Sequence, residues 1–179
     1  VLGLVGCGRI GLATAAKARG LGLDVIAYDP YATADTLAAA GVRAVDLPTL
    51  LRESDYISLH SPLTRDNRHL INAAALAQMK PSAYLVNTAR GPLIDEDALL
   101  VAVRSGQIAG AALDVLSVEP PAADSPLMHE ERILITPHMA WYSEEAKVDV
   151  RRRGAEEVVR VLCNEPPRAP VNRVETRQA

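Results

Sequence analysis

The chain has 179 residues, of which 49% are hydrophobic and 23% charged, and its formal net charge is −3 at pH 7. This composition is typical of a soluble globular chain that buries one core, and it excludes a disordered or low-complexity protein. Because nucleic acid and anionic membranes attract a clustered positive surface, we expect neither as a partner.

Short apolar runs alternate with helical patterns along the whole chain. Continuous apolar runs predict six or seven buried parallel strands, six of them at residues 2–5, 24–28, 56–59, 83–87, 109–113 and 133–135. Apolar residues at helical spacing predict helices at residues 10–19, 34–40, 47–53, 73–79, 96–105 and 144–163. This order requires right-handed crossovers. The sequence therefore predicts an α/β fold, a Rossmann-type doubly wound parallel sheet in three layers, α/β/α, as one domain over residues 1–179.

The segment Gly6-Cys7-Gly8-Arg9-Ile10-Gly11 fits the pattern GxGxxG between the first strand and the first helix. Alone the pattern is weak evidence, because nicotinamide, flavin and methyl-donor proteins share it. In a dinucleotide fold the first glycine permits a tight turn, the second lets the backbone approach a pyrophosphate, and the third lets helix and strand pack closely. The phosphates would then lie at the helix N-terminus, where N–H groups favour negative charge.

Asp29 closes the second predicted strand, at the place where the dinucleotide fingerprint requires an acid for the adenosine ribose hydroxyls. A carboxylate there repels a 2′-phosphate, and no arginine follows directly, so NAD is favoured over NADP. The alternative interpretation is that Asp29-Pro30 merely starts a turn.

Ionisable residues follow three predicted strands at their carboxyl ends, the edge where such sheets bind ligands. Arg90 stands in a Gly-Pro loop and offers a planar guanidinium to a substrate carboxylate. Asp114 and Glu119 follow the next strand, and His138 follows the last. A histidine whose second nitrogen faces a carboxylate suits proton donation to a carbonyl. If Glu119 and His138 meet, these residues with Arg90 form a set for hydride transfer at a 2-keto or 2-hydroxy acid.

Each catalytic candidate also has a plainer interpretation. Arg90 could be a surface loop residue, Glu119 a turn carboxylate, and His138 a cap at a strand end. All three residues fit one reaction. The plainer interpretations would all have to hold at once, which is less convincing than any one of them alone.

Several segments carry a resemblance in the same order along nearly the whole chain. They are the glycine turn with Asp29, LHSPLT at 59–64, MKPSAYLVNTARGPLID at 79–95, GAALDVLSVEP at 110–120 and TPHMAWYSEEA at 136–146. Together they resemble the nucleotide-binding domain of the D-2-hydroxyacid dehydrogenase family, which implies an NAD-dependent oxidoreductase. HMAWYS at 138–143 further resembles the subgroup that includes the C-terminal binding protein corepressors and their bacterial dehydrogenase relatives.

The resemblance implies roles for individual residues. Arg90 would bind the substrate carboxylate and carbonyl, His138 would be the acid and base, and Glu119 would keep His138 protonated. Asp114 would contact the nicotinamide amide, and Trp141 would face the substrate pocket. The residues implied to bind the cofactor are Gly6, Gly8, Arg9, Ile10, Gly11, Asp29, Tyr31, His60, Ser61, Pro62, Thr64, Thr88, Ala89, Arg90, Asp114, His138 and Ala140.

Two functions stay open at this point. One is hydride transfer between NAD(H) and a 2-hydroxy or 2-keto acid; the other is an NAD(H)-sensing, corepressor-like interaction protein with little turnover. The preference for Arg (16) over Lys (3) hints at a bacterial source and hence at the enzyme. The resemblance also implies a homodimer and a separate substrate-binding domain. We therefore expect a cofactor domain cut from a longer protein, with residues 165–179, and Val171-Asn172-Arg173 in particular, leading toward that domain.

The cysteine count and the apolar runs bear on location. Cys7 and Cys163 are too few and too far apart for a disulfide framework or a paired-cysteine metal site, so we expect no metal and a reducing, cytoplasmic setting. No apolar run approaches the roughly 20 residues that span a bilayer, and no signal peptide is visible. The three arginines at 151–153 are expected to form a solvated helix face.

Overall fold

Seven parallel strands form one sheet in the computed structural model, which describes residues 1–170. The strands are β1 (Leu2–Val5), β2 (Val25–Tyr28), β3 (Arg43–Ala44), β4 (Tyr56–Leu59), β5 (Tyr84–Asn87), β6 (Gly110–Leu113) and β7 (Ile133–Ile135). Their order across the sheet is β3-β2-β1-β4-β5-β6-β7, and every neighbouring pair is parallel. The predicted fold class is therefore confirmed. β3 had no apolar run to predict it, because both of its residues are exposed at the sheet edge.

The helices are α1 (Arg9–Gly20), α2 (Ala34–Ala39), α3 (Leu47–Glu53), α4 (Ala73–Leu76), α5 (Glu96–Arg104) and α6 (Glu144–Leu162). Five of them begin at a side chain that accepts a hydrogen bond from an N–H in the first turn: Thr33, Asp46, Asn72, Asp95 and Ser143. Such caps satisfy N–H groups that have no partner inside the helix. Within residues 1–170, α1 is the exception, because its N-cap is Gly8.

One predicted helix is too long. The prediction of a helix over residues 73–79 is wrong at its end, since α4 stops at Leu76. Gln78 N–H donates to Ala75 O and Met79 N–H to Leu76 O, so the chain closes in tight three-residue turns instead of continuing. Pro81 limits the helix further along, because a proline disfavours helical backbone in the residue before it, here Lys80. The other predicted boundaries agree with the structure to within one residue.

Both faces of the sheet carry helices. On one face, α1 and α2 pack over β1 and β2 through a cluster that includes Leu4, Ala15 and Leu37. On the other face, the larger cluster joins α3, α4 and α5 to the central strands through residues such as Leu50 and Leu99. Burial on both faces explains why the strands read as continuous apolar runs rather than as alternating ones.

The order of strands reverses beside β1. β1 pairs with β2 on one side and with β4 on the other, so the chain first builds outward to β3 and then outward to β7. The loops that leave β1 and β4 depart in opposite directions, and such folds bind ligands in the crevice between them. This crevice lies within Val1–Ala140, the first of two compact units into which the chain divides.

The second unit, Trp141–Ala179, contains α6. Along this helix Arg152 forms ion pairs with Asp149 and Glu156, as befits a solvated helix face. Residues 1–170 contain no helix with the length and apolarity that a bilayer crossing requires. One domain over residues 1–179 stays a prediction, and Val171-Asn172-Arg173 lie outside the described residues.

Gly91 lies between two loops at the ligand-binding edge of the sheet, and its close packing predicts that a larger residue there lowers stability. A Cβ added at Gly91 would overlap the backbone carbonyl of Leu116, in the loop after β6. Because backbone atoms cannot turn aside as a flexible side chain can, Gly91→Ala should lower the free energy of unfolding by about 3 kcal/mol. Urea unfolding followed by circular dichroism measures the change.

Gly20→Ala is the matched control for Gly91→Ala. It lies at the end of α1, and no atom stands within 4 Å of its added Cβ. Its free energy of unfolding should change by less than about 1 kcal/mol. Equal stability of the two variants would show that the packing of the two loops does not restrict Gly91.

Candidate active site

A cavity of about 300 Å³ lies in the crevice at the carboxyl ends of β1, β2 and β4. Three loops form its walls: the turn after β1, the turn after β2 and the loop after β4. Eight of the predicted cofactor residues line it: Gly6, Gly8, Asp29, Tyr31, His60, Ser61, Pro62 and Thr64. The fold thus collects residues that are up to 58 positions apart in sequence around one space.

The three glycines of the turn differ in what surrounds them. Gly6 has a φ of +87°, and an added Cβ would stand 2.7 Å from Ser61 N. A Cβ on Gly11 would stand 2.5 Å from Gly6 O, so the first turn of α1 lies directly against the turn after β1. Gly8 has no atom within 4 Å of that position, which leaves its backbone open to a ligand. These surroundings match the separate reasons for which the fingerprint needs each glycine.

Asp29 joins the glycine turn to the turn after β2. Its Oδ2 accepts from Cys7 N–H at 2.7 Å, and its Oδ1 accepts from Tyr31 N–H at 2.8 Å and Ala32 N–H at 3.2 Å. Asp29 therefore does start a turn, as the plainer interpretation held, and it also fixes the phosphate-loop backbone. A carboxylate can accept about four hydrogen bonds, so capacity remains for one hydroxyl. Its contact with a ribose stays a prediction.

The thiol of Cys7, which lies next to the Asp29 carboxylate, is unreactive. Cys7 is buried among apolar residues, and burial, followed by the negative charge of Asp29, raises the pKa of its thiol. The neutral thiol acts as a small apolar group under the turn.

The loop after β4 presents His60 and Ser61 to the cavity. His60 Nε2 lies 3.0 Å from Oγ of the buried Ser58, and burial lowers the pKa of His60, so the ring is uncharged near neutral pH. Ser61 Oγ is buried and has no hydrogen-bond partner in the part of the chain that the structure describes. Asn67 holds the loop, because its Oδ1 accepts from Thr64 N–H and its Nδ2 donates to Pro62 O.

His138 and Glu119 meet. Nδ1 of His138 lies 2.7 Å from Glu119 Oε2, and Glu119 Oε1 accepts from Leu116 N–H at 2.8 Å. The hydrogen bond from His138, followed by that from Leu116, lowers the pKa of Glu119, so the carboxylate is ionised at neutral pH. An ionised carboxylate accepts from Nδ1 and thereby fixes the orientation of the imidazole. A cavity of about 360 Å³ adjoins this pair.

Asp114 holds the loop that carries His138. It is only 6% exposed; its Oδ1 accepts from Thr136 Oγ1 at 2.5 Å and Met139 N–H at 2.9 Å, and its Oδ2 accepts from Ala140 N–H at 2.9 Å. Burial alone would raise the pKa of Asp114, but these hydrogen bonds outweigh it and lower the pKa. The contact of Asp114 with a nicotinamide amide stays a prediction.

Arg90 lies in the loop after β5. Asn87, the last residue of β5, holds this loop through hydrogen bonds. Asn87 is fully buried; its Oδ1 accepts from Ala89 N–H at 3.0 Å and its Nδ2 donates to Arg90 O at 2.9 Å. The Arg90 guanidinium is exposed and donates to Ala89 O. β6 separates the ends of β5 and β7, so the loops of Arg90 and His138 start two strand spacings apart, about 10 Å. A small acid could lie between them.

A third cavity, of about 210 Å³, lies at the ends of β5, β6 and β7, and Thr88, Asp114 and Ala140 are among its lining residues. The first turn of α1 carries Arg9 and Ile10, and Ile10 is 69% exposed.

Trp141 belongs to the second unit, where its ring meets Tyr142 edge to face at 5.6 Å. Its place in a substrate pocket stays a prediction. In residues 1–170, no group of His, Cys, Asp and Glu side chains could hold a metal ion.

Sequence reasoning missed the residues beneath the loops. Ser58 contacts His60, Asn87 contacts Ala89, and Thr136 contacts Asp114. The sequence analysis predicts no role for any of these three supporting residues. The available signal was a polar residue within or directly after an apolar strand, as in YISLH and YLVN, because a buried polar group needs a partner.

Comparison with known proteins places this site in a family. A family model described as "D-isomer specific 2-hydroxyacid dehydrogenase, NAD binding domain" matches residues 1–140. The chain belongs to this family. It is 43% identical over 171 residues to a D-3-phosphoglycerate dehydrogenase of Synechocystis sp., which covers 96% of the chain and 31% of that protein.

Two further relatives agree with the family assignment. A glyoxylate reductase of Thermofilum pendens is 42% identical over 96% of the chain and 51% of that protein. The crystal structure of a D-lactate dehydrogenase from Treponema pallidum superposes with a TM-score of 0.89 at 41% identity, over 96% of the chain and 55% of that structure. The chain therefore spans between about a third and just over half of the length of these D-2-hydroxyacid dehydrogenases.

The crevice fits the NAD that gives this family domain its name. Gly8 leaves the backbone open to a ligand, and α1 begins there with no capping side chain and no acidic residue in its first turn. Its N-terminal N–H groups and the helix dipole therefore favour a pyrophosphate. The buried, unpartnered hydroxyl of Ser61 is a polar group that a bound dinucleotide could satisfy.

The pairing of Glu119 with His138 leads to a titration experiment. In the 179-residue chain, the carboxyl carbon of Glu119, followed by ¹³C NMR, should titrate below the range of ordinary glutamates, because the hydrogen bond from His138 is the largest cause of its lowered pKa. His138→Ala should raise the midpoint toward the ordinary range. His129→Ala, at an exposed turn, is the control and should leave it unchanged. An identical midpoint in wild type and His138→Ala would mean that the pair does not form in solution.

Proposed function

We propose that the full-length protein is an NAD-dependent oxidoreductase that interconverts a D-2-hydroxy acid and the corresponding 2-keto acid. The observation that carries the proposal is the 2.7 Å contact between His138 Nδ1 and Glu119 Oε2, at the same sheet edge as Arg90. When bound, NADH supplies the hydride for the carbonyl carbon of the keto acid. The residues of this chain bind the acid, orient it and exchange the proton.

Arg90 and His138 contact different groups of the substrate. The Arg90 guanidinium pairs with the substrate carboxylate, and a further N–H donates to the neighbouring carbonyl oxygen, which polarises that carbonyl. His138 gives a proton from Nε2 to the same oxygen during reduction and takes it back during oxidation. Glu119 accepts from Nδ1 throughout, so it orients the ring for this exchange.

The residues that would hold the dinucleotide line the sheet edge from the crevice to the ends of β5, β6 and β7. Asp29 binds the adenosine ribose and repels a 2′-phosphate, while the N-terminus of α1, with Arg9 and Ile10, binds the pyrophosphate. Asp114 accepts from the nicotinamide amide through its remaining hydrogen-bonding capacity. The other residues that contact the cofactor are Gly6, Gly8, Gly11, Tyr31, His60, Ser61, Pro62, Thr64, Thr88, Ala89, Arg90, His138 and Ala140.

The substrate is proposed only as a class. The names of the three relatives refer to phosphoglycerate, glyoxylate and lactate, so neighbours of this chain differ in the acid they act on. All three are small acids that bear a carboxylate next to the reacting carbon, which matches the roles of Arg90 and His138. Trp141 faces the substrate pocket in this proposal.

The protein is further proposed to be a cytoplasmic homodimer. Its two free cysteines, one of them buried, suit a reducing compartment. The dimer is supported by the family resemblance and by the prevalence of two-fold symmetric homo-oligomers among soluble proteins. The comparisons do not favour the alternative, an NAD(H)-sensing protein with little turnover, because all three relatives are named as enzymes.

The catalytic role of His138 is testable in the full-length protein. His138→Ala should lower kcat for pyruvate or glyoxylate by about 10²- to 10⁴-fold, the usual contribution of a general acid. The Kd of NADH, measured by titration calorimetry, should change by less than about threefold, because the dinucleotide contacts of many other residues remain. His129→Ala is the matched control and should keep both values.

Two results would contradict the proposal. Equal losses in kcat and in NADH affinity would make His138 a binding residue. A wild-type protein that binds NADH but reduces neither pyruvate, glyoxylate nor hydroxypyruvate would favour the sensing function.

A further inference from the structure

His138 has a backbone conformation that a histidine rarely adopts. Its φ is +51°, in the left-handed region that favours glycine. A residue stays in such a conformation only when its surroundings hold it there. The backbone around His138 therefore has to be fixed on both sides, and the direction of the imidazole depends on that fixation.

Asp114 supplies the fixation on the far side of His138. Its carboxylate accepts from the N–H groups of Met139 and Ala140, the two residues that follow the histidine. The side chain is 6% exposed, and its hydrogen bonds keep it ionised. The carboxylate thus holds the chain immediately after the left-handed residue.

Thr136 supplies the fixation on the near side, and it does so twice. Its Oγ1 donates to Asp114 Oδ1 at 2.5 Å, and its carbonyl accepts from His138 N–H at 3.0 Å. The same carboxylate therefore holds the residue two positions before His138 and the two residues after it. A hydroxyl donated to a buried carboxylate makes a short, charge-assisted hydrogen bond, stronger than one between neutral groups.

We propose that Thr136 is a positioning residue of the active site. Its hydroxyl, donated to Asp114, closes the turn around His138 and sets the direction in which the imidazole meets Glu119 and the substrate. The effect on turnover rests on the proposed function, whereas the effect on the imidazole itself is a property of this chain alone. In this role Thr136 acts through Asp114 and the turn.

A pair of substitutions separates the hydroxyl from the shape of the side chain. Thr136→Val keeps the branched shape and removes the donor, and Thr136→Ser keeps the donor and removes the methyl group. In the 179-residue chain at constant pH, imidazole ¹⁵N chemical shifts report whether Nδ1 of His138 carries a proton shared with Glu119. Wild type and Thr136→Ser should give the same nitrogen shifts, and Thr136→Val should give altered ones.

The same variants in the full-length protein test the consequence for turnover. Thr136→Val should lower kcat about 10- to 100-fold, as expected when a catalytic group is misplaced by about 1 Å. The Kd of NADH should stay within about twofold of wild type, and Thr136→Ser should retain at least about a third of the wild-type kcat. A residue that merely stabilises the fold would not separate kcat from NADH affinity in this way.

One outcome would overturn the proposal. Unaltered ¹⁵N shifts and full kcat in Thr136→Val would show that the two N–H groups bound by Asp114 hold the turn without the hydroxyl. If Thr136→Val does not fold, Thr136→Ala removes the hydroxyl without placing a methyl group against the carboxylate, and the same comparison applies to it. If wild type reduces no 2-keto acid, the proposed function fails, and the ¹⁵N comparison still decides the role of Thr136.

Discussion

The parallel direction of all seven strands is the constraint on which the rest of the structure depends. Because their carboxyl ends meet at one edge, the residues that follow them become neighbours although they are far apart in sequence. Gly6 follows β1, Asp29 follows β2 and His60 follows β4, and they line one cavity. Glu119 and His138 follow β6 and β7 and come within hydrogen-bonding distance. The reversal of strand order beside β1 opens the crevice at the same edge.

A parallel sheet alone would leave those loops undefined, and buried polar side chains define them. Asn87 and Asp114, at or just after the ends of their strands, hold the loops of Arg90 and His138, and Ser58 bonds to His60. Each is buried, so an unmade hydrogen bond would cost about 1 to 3 kcal/mol. These hydrogen bonds fix the loops that carry the site to the sheet. Such support limits how far a catalytic side chain can drift from its productive position.

Much of this arrangement could be predicted from the sequence, because it depends on local patterns. Apolar runs located six strands, and glycine spacing together with Asp29 located the crevice. Strand ends predicted that Glu119 and His138 lie at the same sheet edge, and their contact was a condition that the structure meets. What could not be predicted depends on tertiary contacts. β3 has two exposed residues and pairs with β2 at the sheet edge. The left-handed turn at His138 is flanked by the hydrogen bonds of Asp114 and Thr136. The sequence marks Thr136 only as a polar residue directly after an apolar strand, and that signal does not specify which loop the side chain holds.

Transfer of hydrogen from NADH to carbon is the event that this edge of the sheet is proposed to organise. The most direct measurement supplies the full-length protein with NADH deuterated at both C4 positions, together with pyruvate or glyoxylate. The product is then examined by mass spectrometry and, for pyruvate, by chiral chromatography. One deuterium at C2 of the hydroxy acid, and the D configuration for lactate, is the predicted result. Deuterated NADH that binds in the crevice while the keto acid stays unreduced, or is reduced without deuterium, would contradict it.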